Sequence, residues 1–217
     1  MKKEFKVKTP LYSKCIEVPK IIDKATGIHI LSRFVKAIIF TTDVVVIKNN
    51  NADAIMAVYP FTPQPILSHA LATVANMPLM VGIGGGTTQG DRVVELALDA
   101  EFQGVLGVVL NAPIDNKTLS AVRQAVEIPI IVSVVSTKRV EERLKNGADI
   151  LNVCAGKDTV EVVKYIRDRY PDVPIMATGG SSDKAIEETI DAGANAIVYT
   201  PPTTTQLMKD LMATYRT

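Results

Sequence analysis

Strand-like runs in this chain are approached in two ways, and the two alternate strictly. One approach is a small-residue phrase: "NADAIMAVYP" from Asn51, "GVLGVVLNAP" from Gly104, "GADILNVCAG" from Gly147 and "GANAIVYTPP" from Gly193. The other places a proline second: "MPLMVGIGGG" from Met77, "IPIIVSVVS" from Ile128 and "VPIMATGG" from Val173. Proline has no N–H, so it suits the first residue of a strand, where no ladder bond is lost. Glycine or asparagine suits a helix stop that leads directly into a strand. The runs are short, β-branched and almost continuously apolar, which marks strands buried on both faces, as in a parallel sheet.

Helix-period segments lie between them: 64–76, 90–102, 117–127, 137–146, 159–170, 183–192 and 204–215. Seven β–α units are therefore legible. The alternation calls for an eighth, with a proline-led strand ahead of Asn51. "EVPKIIDKATG" from Glu17 fits, and its crossover helix would run from about Gly27 to Asn49.

Eight such units predict an α/β fold, a single-domain (β/α)8 TIM barrel. The expected parallel strands lie near 18–22, 53–59, 78–83, 104–110, 129–134, 149–154, 174–178 and 195–199. An open doubly wound sheet is the rival architecture, and regular alternation favours closure. The single domain spans 1–217, with 1–16 as an N-terminal extension.

Composition narrows the function. Lys and Arg number 24 against 23 Asp and Glu, so no overall field draws nucleic acid or a membrane surface. Lys2, Lys3, Lys6 and Lys8 crowd the N-terminus and read as a solvated tail. Two distant cysteines, Cys15 and Cys154, make no disulfide scaffold. No signal peptide or spanning segment is legible, so a cytoplasmic protein is expected.

In a barrel of this kind the chemistry sits on loops after the strands' C-terminal ends. "VGIGGGTTQGD", Val81 to Asp91, is such a loop. It lacks the lysine of a Walker A loop, since Asp91 and Arg92 follow Gly90, and Thr87 stands where a dinucleotide fingerprint needs glycine. Gly84, Gly85, Gly86, Thr87 and Thr88 read either as a nest of N–H groups for an anion or as a tight bend without a ligand. Glycines also let a ligand approach the backbone closely.

Polar side chains at the other strand ends are few. Lys20 and Lys24 would follow the first strand, as proton-handling or anion-holding groups or as solvated lysines. Tyr59 ends the second, as a ligand contact or a packed aromatic. Asn111, Ser133 and Ser136, and then Asn152 and Cys154 end the next ones. Residues 152 and 154 share parity, so both are expected to point into the barrel mouth. No carboxylate pair, metal-ligating cluster or strand lysine supports glycosidase, metal-hydrolase or Schiff-base chemistry. No metal and no cofactor are expected. His29 and His69 fall in the segments read as helical.

"VPIMATGGSSDKAIEETIDAGANAIVYT", residues 173–200, resembles the last two units of phosphate-binding TIM barrels. That group includes thiazole synthases, IMP dehydrogenase-like barrels and N-acylglucosamine-6-phosphate epimerases. The resemblance implies that Gly179, Gly180, Ser181 and Ser182 offer donors to a substrate phosphate. The turn after the last strand departs from the group's pattern. Pro201 and Pro202 each remove an N–H, and Thr203 and Thr204 are left to compensate.

The reading that results is a barrel binding a small anionic, phosphorylated metabolite, with metal-independent isomerase or lyase activity. Lys20 or Lys24 would handle protons, and Asn111 and Asn152 would orient the ligand. Two rivals stand beside it. One is a hydrolase with Cys154 as nucleophile and His29 as base. The other is a non-catalytic metabolite-sensing or assembly protein, of a size with barrels resembling glycerol-3-phosphate-responsive antiterminators. A homo-oligomer is compatible with all three.

Overall fold

The computed structural model describes Thr9, Pro10 and residues 15–216 of the chain. The N-terminal lysines Lys2, Lys3, Lys6 and Lys8 lie outside the described residues.

Eight parallel strands close into a barrel with helices alternating outside. A short hairpin comes first, β1 (Ile28–Ile30) paired antiparallel with β2 (Arg33–Val35). The barrel strands come next: β3 (Ala37–Phe40), β4 (Ala54–Ala57), β5 (Leu79–Gly84), β6 (Gly107–Leu110), β7 (Ile130–Val134), β8 (Ile150–Val153), β9 (Ile175–Thr178) and β10 (Ala196–Tyr199). They pair in that order, and β10 closes on β3. The helices are α1 (Val44–Lys48), α2 (Pro65–Val74), α3 (Asp91–Phe102), α4 (Asn116–Ala125), α5 (Val140–Lys145), α6 (Thr159–Arg169), α7 (Asp183–Asp191) and α8 (Thr204–Thr214). Seven of the barrel strands fall where the sequence places them.

The first does not. Residues Lys20–Lys24 form a 3-10 turn, and its buried Ile22 joins the packing between barrel and helices, beside α7. The segment read as one helix from 27 to 49 instead holds β1, β2, β3 and the short α1. The physical reason lies at Lys36. The carbonyl before each proline-led strand accepts a hydrogen bond from the neighbouring strand: Pro78 O from Ile55 N (2.9 Å), Pro129 O from Val108 N (3.0 Å), Pro174 O from Leu151 N (3.1 Å). Lys36 O accepts from Ile197 N in the same way, at 2.8 Å. Lys36 therefore occupies the proline's place in the first unit, and the sequence signature is absent there.

The small-residue phrase has its own function. Asp53 Oδ2 accepts from the N–H groups of Lys36 and Ala37 (2.8 and 2.9 Å), Asp149 Oδ2 from Ile130 N (2.8 Å), and Asn195 Oδ1 from Ile175 N (2.9 Å). Each side chain caps the start of the strand before it, whose first N–H would otherwise go unpaired. In the β6 phrase the same place holds Leu106, which keeps only the backbone bond that all four units share, its N–H donating to Leu79 O (2.7 Å).

Burial divides the core in two. Ile38, Met56, Met80, Val109, Ile131, Ile150, Met176 and Val198 fill the barrel together with Ile28, Ile30 and Val35 of the hairpin. A second cluster, with Ile39, Ile55, Val81, Val132, Val153 and Ile197, joins strands to helices. The Gly27 N–H donates to Asn195 O, just ahead of β10, so the hairpin sits under the strands' N-terminal ends and floors the barrel. The opposite, C-terminal end is the mouth.

Candidate functional site at the barrel mouth

The loop from Gly84 to Gly90 is built around a fault in the sheet. Between Gly82 and Gly84 the β5–β6 register shifts, which is a β-bulge. Bulges bend a strand and re-aim the residues beyond it. Two glycines are then dictated by contact. A Cβ on Gly84 would lie 2.6 Å from Val93 Cγ2, and one on Gly85 would lie 2.7 Å from Asn111 O. Gly85 also has φ +94°. Gly86 differs: its φ is +80°, but a Cβ there would meet nothing within 4 Å. The N–H of Gly85 donates to Thr88 O (3.0 Å), closing a tight turn with Gly86 and Thr87 at its tip. Among the described residues no backbone acceptor takes the N–H of Gly86 or of Thr87.

That turn forms one wall of a cleft of about 210 Å³. Val58, Gly82 and Gly84 line it at the strand ends, Asn111 packs beside Gly85 at the end of β6, and Tyr59, Pro60, Phe61 and Pro63 line it from the β4–α2 loop. Asn111 is fixed through its backbone, its N–H donating to Gly84 O (2.9 Å) and its carbonyl accepting from Ile114 N (3.0 Å). Tyr59 is held by its hydroxyl oxygen, which accepts from Gln64 N at 2.9 Å, just before α2. The structure thus brings Tyr59, Gly84, Gly85, Gly86, Thr87, Thr88 and Asn111 to one cleft. Sequence reasoning passed over Phe61, Val58 and Gly82. Phe61 carries a legible sign, because "YPFTPQP" braces one aromatic between prolines.

A second polar group lies deeper in the barrel. Asn152 is buried at 3% exposure, and its side-chain nitrogen lies 3.4 Å from Ser133 Oγ, 3.2 Å from Cys154 Sγ and 3.8 Å from Met56 Sδ. Its Oδ1 has no hydrogen-bond partner. Thr178 Oγ1 donates to Cys154 Sγ (3.6 Å), so β7, β8 and β9 each add a neutral polar side chain. Burial pushes the Cys154 thiol above its usual pKa, against hydrogen bonds with Thr178, Asn152 and Ser133 that act the other way. The thiol is therefore protonated at neutral pH, the opposite of an activated nucleophile.

The other candidates are placed elsewhere. Gly179, Gly180, Ser181 and Ser182 follow β9, and Thr203 follows β10; none borders the cleft. Ser182 and Thr203 are helix caps, accepting from Ala185 N and Gln206 N (3.2 Å each). Lys20 and Lys24 are not at a strand end at all. They sit on the 3-10 turn beside α7, where Lys24 pairs with Glu187. His29 lies on the floor hairpin, stacked on Phe34 with ring centroids 4.7 Å apart. The barrel's core layers separate it from Cys154, so the Cys154–His29 dyad does not form. His69 is exposed on α2, as a helix-face residue. Among the described residues no three His, Cys, Asp or Glu side chains converge as metal ligands, and no helix is long and apolar enough to cross a membrane.

No protein-family model matches the chain, and no curated protein matches it in sequence. Solved structures do match in fold. A phosphoenolpyruvate phosphomutase from Streptomyces platensis subsp. rosaceus superposes with a TM-score of 0.64 at 15% identity, covering 91% of this chain and 83% of its own. A phosphonopyruvate hydrolase in complex with oxalate and Mg++ gives 0.63 at 13%, covering 84% and 82%. The thiamine phosphate pyrophosphorylase of Pyrococcus furiosus gives 0.57 at 18%, covering 76% and 84%. At these identities the likeness establishes the TIM-barrel fold alone.

Proposed function

We propose that this barrel binds a small anionic, phosphorylated metabolite in the cleft over β4, β5 and β6 and acts on it as an isomerase or lyase. The observation that carries the reading is the turn at Gly86 and Thr87. It presents two N–H groups without backbone acceptors at the C-terminal end of a barrel, in a cleft that Asn111 and Tyr59 also line. Successive N–H groups in such a turn attract an anion without any charged side chain. The phosphonopyruvate hydrolase that shares the fold holds oxalate, and the pyrophosphorylase acts on a phosphate ester by name, which agrees in ligand class. In this reading Asn111 and the Tyr59 hydroxyl orient the ligand, and Gly179 to Ser182 with Thr203 face it from across the mouth. Asn152 supplies a buried acceptor below them.

A non-catalytic metabolite-sensing barrel is the second reading, and one observation favours it. No Asp, Glu, Lys, Arg or His borders the cleft. Acid–base chemistry there would fall to the Tyr59 hydroxyl alone.

Binding and turnover separate the two. Inorganic phosphate, phosphoenolpyruvate and glycerol 3-phosphate are titrated into the wild type, Gly86→Asn and Gly86→Asp, with ³¹P NMR to follow conversion. Asn and Asp both tolerate the left-handed backbone at Gly86. The reading expects Gly86→Asp to lose at least about tenfold in affinity through like-charge repulsion, with Gly86→Asn much less affected. Equal affinities in all three proteins would remove the anion from this turn. Binding without conversion of any phosphate ester favours the sensor.

A further inference from the structure

The wall facing the Gly86 turn is aromatic, and its most prominent member has no packing role. Phe61 is 74% exposed, although it borders the cleft. It is also stiffly held. Pro60, Pro63 and Pro65 each fix a φ angle around it, and the Tyr59 hydroxyl oxygen anchors the loop on Gln64 N at 2.9 Å. An aromatic side chain kept in water on a braced loop forgoes the burial that usually places such a residue inside. The β5 side of the cleft is the reverse in kind. Gly84, Gly85 and Gly86 carry no side chain, so bare peptide backbone lines the cleft there, beside Thr87 and Thr88.

We propose that the cleft takes a ligand containing one planar unsaturated ring, which lies between Phe61 with Tyr59 on one side and the glycine backbone on the other. The proposal rests on the anion reading above and adds the class of the ligand's body. A flat ring can approach bare peptide planes more closely than a branched aliphatic chain, and it offers its face to the aromatic wall. The cleft's size suits one ring. An engineered cavity of about 150 Å³ holds benzene, and clefts for drug-sized ligands run from about 300 Å³ upward. This cleft, at about 210 Å³, has room for a single substituted ring. Asn111, which also lines the cleft, carries an amide NH2 and an amide oxygen for the ring's polar edge.

Calorimetric titration with phenyl phosphate, inorganic phosphate, glycerol 3-phosphate and benzyl alcohol tests this, in the wild type, Phe61→Ala and Phe61→Leu. Phe61 is exposed, so both variants should keep the wild-type fold. Phenyl phosphate should bind about tenfold more tightly than glycerol 3-phosphate, and Phe61→Ala should remove most of that advantage while inorganic phosphate is unaffected. Phe61→Leu should lose nearly as much, because it restores apolar bulk without the ring face. Equal binding of phenyl and glycerol phosphates overturns the proposal. So does an equal loss for every anion in Phe61→Ala. If the anions fail to bind but benzyl alcohol binds and depends on Phe61, the anion reading falls and the ring site stands. If no probe binds, both fall.

Discussion

Single polar side chains have specific roles at the ends of this barrel's elements. Asp149 Oδ2 accepts from Ile130 N and from Arg123 Nη1 (2.8 and 2.7 Å), while Asn195 Oδ1 accepts from Ile175 N and Arg167 Nη2 (2.9 and 2.7 Å). An amide thus serves in one unit where a carboxylate serves in another. Asp149→Ala should cost about 1–3 kcal/mol by leaving the Ile130 N–H unsatisfied, and Asp149→Asn clearly less; urea unfolding compares them. Asp115 caps α4. Its carboxyl is held below the usual range first by the Thr118 hydroxyl and then by the Thr118 N–H. A pKa lowered in the folded state means stability that is fully present well above the unfolded value of about 3.9 and lost as pH falls through the lower, folded value. The gap in urea midpoint between wild type and Asp115→Asn should therefore narrow below about pH 4 and stay constant from pH 5 to 7. The candidate residues were legible to the extent that they were isolated polar groups on apolar strand ends. Tyr59, Asn111, Asn152 and Cys154 stood out that way, and the glycine run stood out by itself. Phe61 was marked only by its flanking prolines, because an exposed aromatic in a loop carries no periodicity. Lys20 and Lys24 were attached to a strand that does not exist there.

Elements were legible where their ends carried chemistry. The proline-led and small-residue approaches marked seven barrel strands because each solves a stated problem, a missing N–H in one case and an unpaired N–H in the other. β3 escaped because Lys36 meets the same geometry with an ordinary residue, and its N–H is taken up by Asp53 Oδ2 at 2.8 Å. The hairpin β1–β2 escaped for another reason. Its inward residues Ile28 and Ile30 alternate with exposed His29 and Leu31 over too short a span to be told from a helix turn. Ile30 is buried inside the barrel floor at 2% exposure, so Ile30→Ala should destabilise the protein by about 2–5 kcal/mol, measured by thermal or urea unfolding. A cost under about 0.5 kcal/mol would mean that the hairpin is an appendage and the barrel closes without it.

At the scale of the whole molecule, the closed barrel gives the protein two ends with different chemistry. The N-terminal end is plugged by apolar side chains of the hairpin and ringed by capping hydrogen bonds, whose geometry is accounted for by the fold itself. The mouth holds features the fold does not account for. They are the turn at Gly86 with its two unclaimed N–H groups, the exposed Phe61, and the unpartnered Oδ1 of Asn152. Their gathering at one end is the basis for locating function there. A second set of hollows flanks His29 beneath the barrel, near Arg123 and Arg167, and offers the competing location. Amide chemical-shift mapping during a titration with inorganic phosphate decides between the two ends. The amides of Gly86, Thr87 and Asn111 should move together and saturate, while those of His29, Leu31 and Arg123 stay in place. Saturable shifts confined to the residues around His29, with the Gly86 turn unmoved, would contradict it.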